Sequence, residues 1–131
     1  MGRAIIINSE LQSPVPQENL AERFSTDVFD VIVEATRNQF RPQEAECARL
    51  CFMDLDERSQ EYIALDAVDS ACFKAFVRAC EAGLAEYQAT GKTAWGLVHL
   101  DDRRVAQYAW EWSELIKKLQ ADPRYKSTER S

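Results

Sequence analysis

Four cysteines are the side chains of this chain with the greatest capacity for nucleophilic or metal chemistry. Cys47 and Cys51 loosely match the spacing of paired zinc ligands, C-x₂₋₄-C. Cys72 and Cys80 lie about two helical turns apart, too far to share one ion easily. All four have apolar neighbours, and free cysteine is among the most buried residue types. We therefore predict buried, reduced thiols, with no metal site and no cofactor.

Two further features resemble catalytic motifs but lack essential parts. His99 is the only histidine, so a cysteine–histidine nucleophile pair requires it. Strand alternation places it on the side of Trp95 and Leu97, which indicates an interior or interface position. The run Gly91-Lys92-Thr93 resembles the end of a phosphate-binding loop, but Glu86 stands where that motif needs its first glycine. No catalytic residue is predicted.

Acidic side chains are concentrated in one segment of a chain whose net charge is −6. The segment begins like a calcium loop, with Asp54 and Asp56, but Arg58 and Ser59 break that pattern. Nucleic acid binding needs cations to neutralise phosphates, so the overall charge disfavours it. A basic protein partner is complementary to such a surface. The predicted contact residues in this segment are Asp54, Asp56, Glu57 and Glu61, and the alternative is that these acids are helix caps and solvated faces.

The last predicted helix has two aromatic faces. One is a stripe with heptad spacing, formed by Val105, Tyr108, Trp112, Leu115 and Leu119. This stripe packs on the domain's own core or, alternatively, forms a homodimer seam. Trp110 points away from it, with Arg103 and Lys117 among its neighbours at 100° per residue. Because tryptophan and arginine are enriched at interface hot spots, Trp110, Arg103 and Lys117 are predicted partner contacts. The alternative is that another part of the chain covers Trp110.

Hydrophobic periodicity predicts a mainly α fold of the α+β class, with about four helices and a minor sheet. The sheet is predicted to pair an N-terminal strand at residues 3–8 with a strand near residues 93–100. Pro42 and early acids favour a helix over a strand for 42–53. The other predicted helices span 19–40, 56–64, 67–89 with Asp66 as its cap, and from Asp101 or Asp102 to about Gln120. Residues 1–123 are predicted to form one globular domain, followed by a flexible polar tail at 124–131.

Targeting signals are absent from the printed sequence. Ile5–Ile7 is too short for the apolar region of a secretory signal. No apolar run approaches the roughly 20 residues of a membrane-spanning helix. A cytoplasmic location is the resulting expectation, and it agrees with the predicted reduced thiols.

These features favour a non-enzymatic regulatory or inhibitory protein of bacterial type that binds another protein. A small enzyme that uses an unrecognised cysteine or carboxylate is the first alternative. The stretch Gly83–Gly91, followed by an Asp-capped helix with tryptophan, is similar to the C-terminal half of some small bacterial antitoxins. That resemblance implies an antitoxin-like transcriptional regulator, the second alternative, which the negative charge disfavours.

Overall fold

The computed structural model describes residues 3–7, 21–66, 68–94 and 102–126, and the fold is given for those ranges. It is an α+β fold, mostly helical with a small three-stranded sheet, as the sequence predicts. None of the described helices is both long enough and apolar enough to span a bilayer. In chain order the elements are β1 (Arg3–Ile6), β2 (Ala21–Phe24), α1 (Thr26–Asn38), a 3-10 turn (Pro42–Glu44), α2 (Ala45–Cys51), α3 (Met53–Asp56), β3 (Tyr62–Ala64), α4 (Ser70–Ala94), α5 (Asp102–Gln120) and α6 (Pro123–Lys126).

The N-terminal strand is confirmed, and β1 is the centre of the sheet. It pairs antiparallel with β2 and parallel with β3, and it places Ile5 beside Ile63 in the core. These two partners replace the strand predicted near 93–100. Thr93 and Ala94 belong to the end of α4, and residues 95–100 lie outside the described part of the chain. With only three and four residues, β3 and β2 are too short for alternation to reveal them.

Two predicted helices differ from the structure, because part of each predicted span forms a strand of the sheet. The helix predicted over 19–40 begins at Thr26, since residues 21–24 pair with β1 and Ser25 has an extended backbone. The helix predicted over 56–64 is wrong. The chain instead turns at Ser59, whose φ is 55°, and enters β3.

The prediction of helix for residues 42–53 is confirmed by the 3-10 turn and by α2. The following long helix is capped by Asp69 rather than Asp66, because the Asp69 carboxylate accepts a hydrogen bond of 2.8 Å from the backbone N–H of Cys72. That helix, α4, continues past the predicted stop at Gly91 to Ala94.

The core forms where α1 and α5 both pack against α4. The Trp112 ring of α5 is fully buried and lies 5.6 Å from the Tyr87 ring of α4, centroid to centroid. Gly83 permits the close approach of α1, since a Cβ there would lie 3.1 Å from the Ala35 carbonyl carbon and equally near Trp112. The glycine is therefore a packing requirement within α4.

Arg124, the first residue of the predicted tail, connects distant parts of the fold. Its guanidinium pairs with the fully buried carboxylate of Asp122, with 3.0 Å between Nε and Oδ1. It also donates hydrogen bonds to three backbone carbonyls, those of Ile7, Leu65 and Val68. Arg124 thus ties β1 and the chain after β3 to the C-terminal end of the fold.

A disulfide between Cys47 and Cys72 corrects the prediction of four reduced thiols. It joins α2 to the first turn of α4, with the two Cα atoms 5.1 Å apart. Cys51 and Cys80 are free and buried, as predicted. Disulfides are typical of oxidising compartments, so the cysteines no longer support the expected cytoplasmic location.

Reduction of this disulfide is expected to lower the free energy of unfolding by about 3–4 kcal/mol, because the unfolded chain regains the entropy of an open loop. The two cysteines are 25 residues apart in the sequence. Urea unfolding with and without dithiothreitol measures the effect, and the Cys47→Ala/Cys72→Ala variant, which dithiothreitol should not affect, is the control. Four rather than two reactive thiols in denatured, unreduced protein would contradict the disulfide.

Candidate protein-binding surface

The heptad stripe of α5 packs on the domain's own core. Tyr108, Trp112, Leu115 and Leu119 are buried, and Val105 is half-buried. The stripe is therefore not available as the seam of a homodimer.

Trp110 faces the other way, and 59 % of its surface is exposed. In the described part of the chain it is the large hydrophobic side chain that remains exposed. Arg103 and Lys117, its predicted neighbours, are exposed as well, and the Lys117 ammonium lies 2.9 Å from the Glu114 carboxylate. All three side chains are directed toward solvent, and their role as partner contacts stays a prediction.

A first groove, called groove A, separates Trp110 from the C-terminal half of α4 and has a volume of about 470 Å³. The Tyr87 hydroxyl fixes the two helices by donating a 3.1 Å hydrogen bond to the Val105 carbonyl. Small side chains at Ala106 and Ala109 leave the space open beside the indole. Gln88, Asp102 and Ser113 supply polar atoms along the same groove. Groove A is thus an apolar cleft with a polar edge, which is typical of a site for one side chain of a partner.

A second groove, called groove B, lies on the other side of Trp110, against β2, with a volume of about 270 Å³. Phe24 and Glu111 line it, together with Arg23. The Lys118 ammonium holds β2 against α5 through an ion pair of 3.1 Å with Glu22. Trp110 is consequently a ridge between two clefts, and a partner can contact both faces of the indole.

The predicted acidic contact segment is largely neutralised by the chain's own arginines. Arg37 binds Asp56 through two hydrogen bonds of 2.6 and 2.9 Å, and this contact holds the pKa of the Asp56 carboxyl below its usual range. The three other pairs, with their N–O distances, are Arg58–Asp54 at 3.1 Å, Arg49–Glu57 at 3.3 Å and Arg3–Glu61 at 4.0 Å. Because these pairs are mostly solvent-exposed, each contributes little to stability, but together they balance the charge of the segment.

Two carboxylates, one beside Trp110 and one near Tyr108, have a different environment. Glu111 lines groove B, and Asp27 follows Phe24 by three residues at the start of α1. Burial raises the pKa of the Tyr108 phenol, the charge of Asp27 raises it further, the charge of Arg104 lowers it, and Glu111 raises it by a smaller amount. Among the described residues, no basic side chain forms an ion pair with either carboxylate. Neither acid stands out in the sequence, because only the tertiary structure shows which carboxylates form ion pairs.

The two free thiols are poorly suited to nucleophilic catalysis. Burial raises the pKa of Cys51 to about 12 and that of Cys80 to about 12. The Trp112 indole N–H also donates a 3.1 Å hydrogen bond to the Cys80 sulfur, so this thiol is part of the core. His99 lies outside the described residues, and residues 91–93 form helix rather than a phosphate loop. Within the described ranges, no cluster of three or more metal-binding side chains occurs.

No protein-family model and no curated protein matches the sequence. A solved structure is similar to it, with a TM-score of 0.73 over 93 % of this chain and 97 % of that chain, at 20 % identity. That structure is described as a CdiA-CT toxin from Burkholderia pseudomallei E479 in complex with its cognate CdiI immunity protein. At this identity the likeness establishes the fold alone: the chain has the fold of a protein from a toxin–immunity complex.

Proposed function

We propose that this protein is a small inhibitory protein that neutralises a partner protein by binding it. The observation that carries the proposal is Trp110, a tryptophan exposed on a domain whose other described large aromatic side chains are covered. Exposing an indole costs solvation free energy that burial against a partner recovers. Tryptophan is also among the residues that dominate binding energy at interfaces.

The structural comparison supports a protein partner, because the similar structure is a complex of two proteins. Of the two roles in that complex, the immunity role agrees better with this chain. Its net charge of −6 suits a binder of basic surfaces. Neither described free thiol is activated, and the acids of the segment 53–61 are held in ion pairs rather than presented as an acid–base pair.

The toxin role is the second candidate, because the same fold likeness applies to a complex with both a toxin and an immunity protein. In that role the chain would be an enzyme or another damaging agent, and its inhibitor would bind it. The two roles predict opposite effects on cell growth, so one assay separates them.

Affinity capture from the source cell, followed by growth assays in a host, tests the proposal. The captured protein should arrest growth when expressed alone, and co-expression of this chain should restore growth. The Trp112→Ala variant, which we expect to be unfolded or strongly destabilised, is the negative control. If this chain arrests growth alone and the captured protein relieves the arrest, the toxin role is correct and the proposal is wrong.

A further inference from the structure

We propose that the Cys47–Cys72 disulfide is a redox latch, which keeps α2 attached to α4 in an oxidising environment and, when reduced, releases α2 to proteases while the rest of the domain stays folded. The bond joins α2 to the first turn of α4. The inference concerns the lifetime of the protein rather than its binding, so it is independent of the proposed function.

Helix α2 depends on this bond because it buries little of its own surface. It has 7 residues, fewer than the roughly 12–15 that an isolated helix needs to be stable in water. Cys51 is its single buried residue, whereas Ala45, Glu46 and Arg49 are exposed. The ion pair between Arg49 and Glu46 lies within the helix and does not attach it to α4. The disulfide is therefore the covalent attachment of a helix that has weak non-covalent support.

The chain on each side of α2 has its own contact with α4. On one side, the Glu44 carboxylate accepts a hydrogen bond from the Arg78 guanidinium. On the other side, the buried ring of Phe52 lies 6.0 Å from the ring of Phe76, centroid to centroid. Release of α2 is consequently confined to the residues between these two contacts, which is a local opening rather than global unfolding.

A dithiol reductant, such as a protein with two reactive cysteines, supplies the electrons that open the latch. Cys47 is half-buried and Cys72 is 7 % exposed, so an incoming thiolate reaches the Cys47 sulfur more easily. Its attack breaks the S–S bond, forms a mixed disulfide with Cys47 and releases Cys72 as a thiolate, which takes up a proton. The second thiol of the reductant then attacks the mixed disulfide. Cys47 leaves as a thiol, and the reductant is oxidised to a disulfide.

The third cysteine of this region does not divert the reaction. Cys51 lies one helical turn after Cys47, but it is buried, and burial raises the pKa of its thiol to about 12. A buried thiol in its protonated form is a poor nucleophile toward a disulfide. Reduction therefore yields two free thiols, and the latch has two states.

The latch and the Trp110 ridge are far apart on α4. Cys72 lies in the first turn, and Tyr87, which lines groove A, is roughly 22 Å further along the helix axis at about 1.5 Å per residue. Local opening of α2 should therefore leave the affinity for the captured partner unchanged.

Limited trypsin digestion with and without dithiothreitol tests the latch, and mass spectrometry assigns each cut. Cleavage after Arg49, within α2, should be about tenfold faster or more in the reduced protein, because the rate follows the population of the open form. In the reduced protein this cut should also precede the cut after Arg78, in the middle of α4, by about tenfold or more. Equal rates after Arg49 in the two redox states would overturn the inference. Equal rates after Arg49 and Arg78 in the reduced protein would do so as well, since the domain would then open as a whole.

Two variants and a second measurement complete the test. Cys51→Ala keeps the disulfide and should retain the difference between the oxidised and reduced protein. Cys47→Ala/Cys72→Ala should be cut after Arg49 at the fast rate whether or not dithiothreitol is present. Hydrogen exchange on the wild type needs no variant, and reduction should accelerate exchange in α2 more than in the middle of α4 or in α5. Uniform acceleration across these helices would contradict a local latch, and neither measurement depends on the toxin or immunity role.

Discussion

Trp112→Ala is expected to lower the free energy of unfolding by about 3–5 kcal/mol, the usual cost of emptying a buried aromatic site. The Trp112 side chain is fully buried against Tyr87, and its indole N–H is satisfied by the Cys80 sulfur. Alanine would leave a cavity at the junction of α4 and α5. It would also remove the hydrogen bond that the indole donates to the Cys80 sulfur. Since a typical domain is stable by about 5–15 kcal/mol, this loss is a large share of the stability, and the melting temperature should fall by about 10 °C or more.

Trp110→Ala is the matched control, because it removes the same side chain two residues away on the same helix. Its melting temperature should be close to that of the wild type, since the indole is mostly exposed. Equal destabilisation by both substitutions would mean that Trp110 is a second core residue, contrary to its position in the structure.

Arg124→Ala is expected to lower the free energy of unfolding by about 3–5 kcal/mol, because it removes the arginine that forms an ion pair with the buried Asp122 carboxylate. Asp122 is fully buried and pairs with the Arg124 guanidinium. The same substitution removes the hydrogen bonds to the carbonyls of Ile7, Leu65 and Val68. Urea unfolding measures the loss, and Arg103→Ala, at an exposed arginine, is the control.

A change in unfolding free energy below about 0.5 kcal/mol, the range of ordinary surface substitutions, would contradict the role assigned to Arg124. It would mean that the chain beyond Asp122 contributes little to the fold. The result would agree with a flexible tail that begins near residue 124, as predicted from the sequence.

The two tryptophans of α5 show what the sequence can predict. Their separation of two residues turns them about 200° apart on a helix, so the two side chains point in nearly opposite directions. The apolar stripe through Trp112 identified the buried face without any knowledge of the partner helix. The helical character of α1, α2 and α4 followed from the same periodicity, together with Pro42 at a helix start.

The remaining features depend on contacts between residues far apart in the chain. Arg124 bonds to a carbonyl 117 residues away, and no local pattern marks it as different from an exposed arginine. The Cys47–Cys72 disulfide requires α2 to meet the start of α4, which spacing alone does not determine. The strand Tyr62–Ala64 has the three residues needed to pair with β1 but too few to display alternation.

In the candidate site too, some features could be predicted from the local sequence and others depend on the fold. The orientation of Trp110 away from the apolar stripe was predictable from helix phase, but its exposure and the state of the surrounding charges were not. The acids at 54–61 are conspicuous in the sequence because they are clustered, yet Arg37, Arg49 and other arginines of the chain pair with them. Glu111 follows Trp110 directly in the sequence, but only the fold shows that it lines groove B with β2.

The most direct test of the account is the affinity of Trp110→Ala for the captured partner, measured by titration calorimetry beside the wild type. We predict a dissociation constant weaker by about 30-fold or more, the effect of removing a hot-spot residue, with an unchanged melting temperature. Equal affinities for the folded variant and the wild type would contradict the claim that this protein acts through the Trp110 ridge.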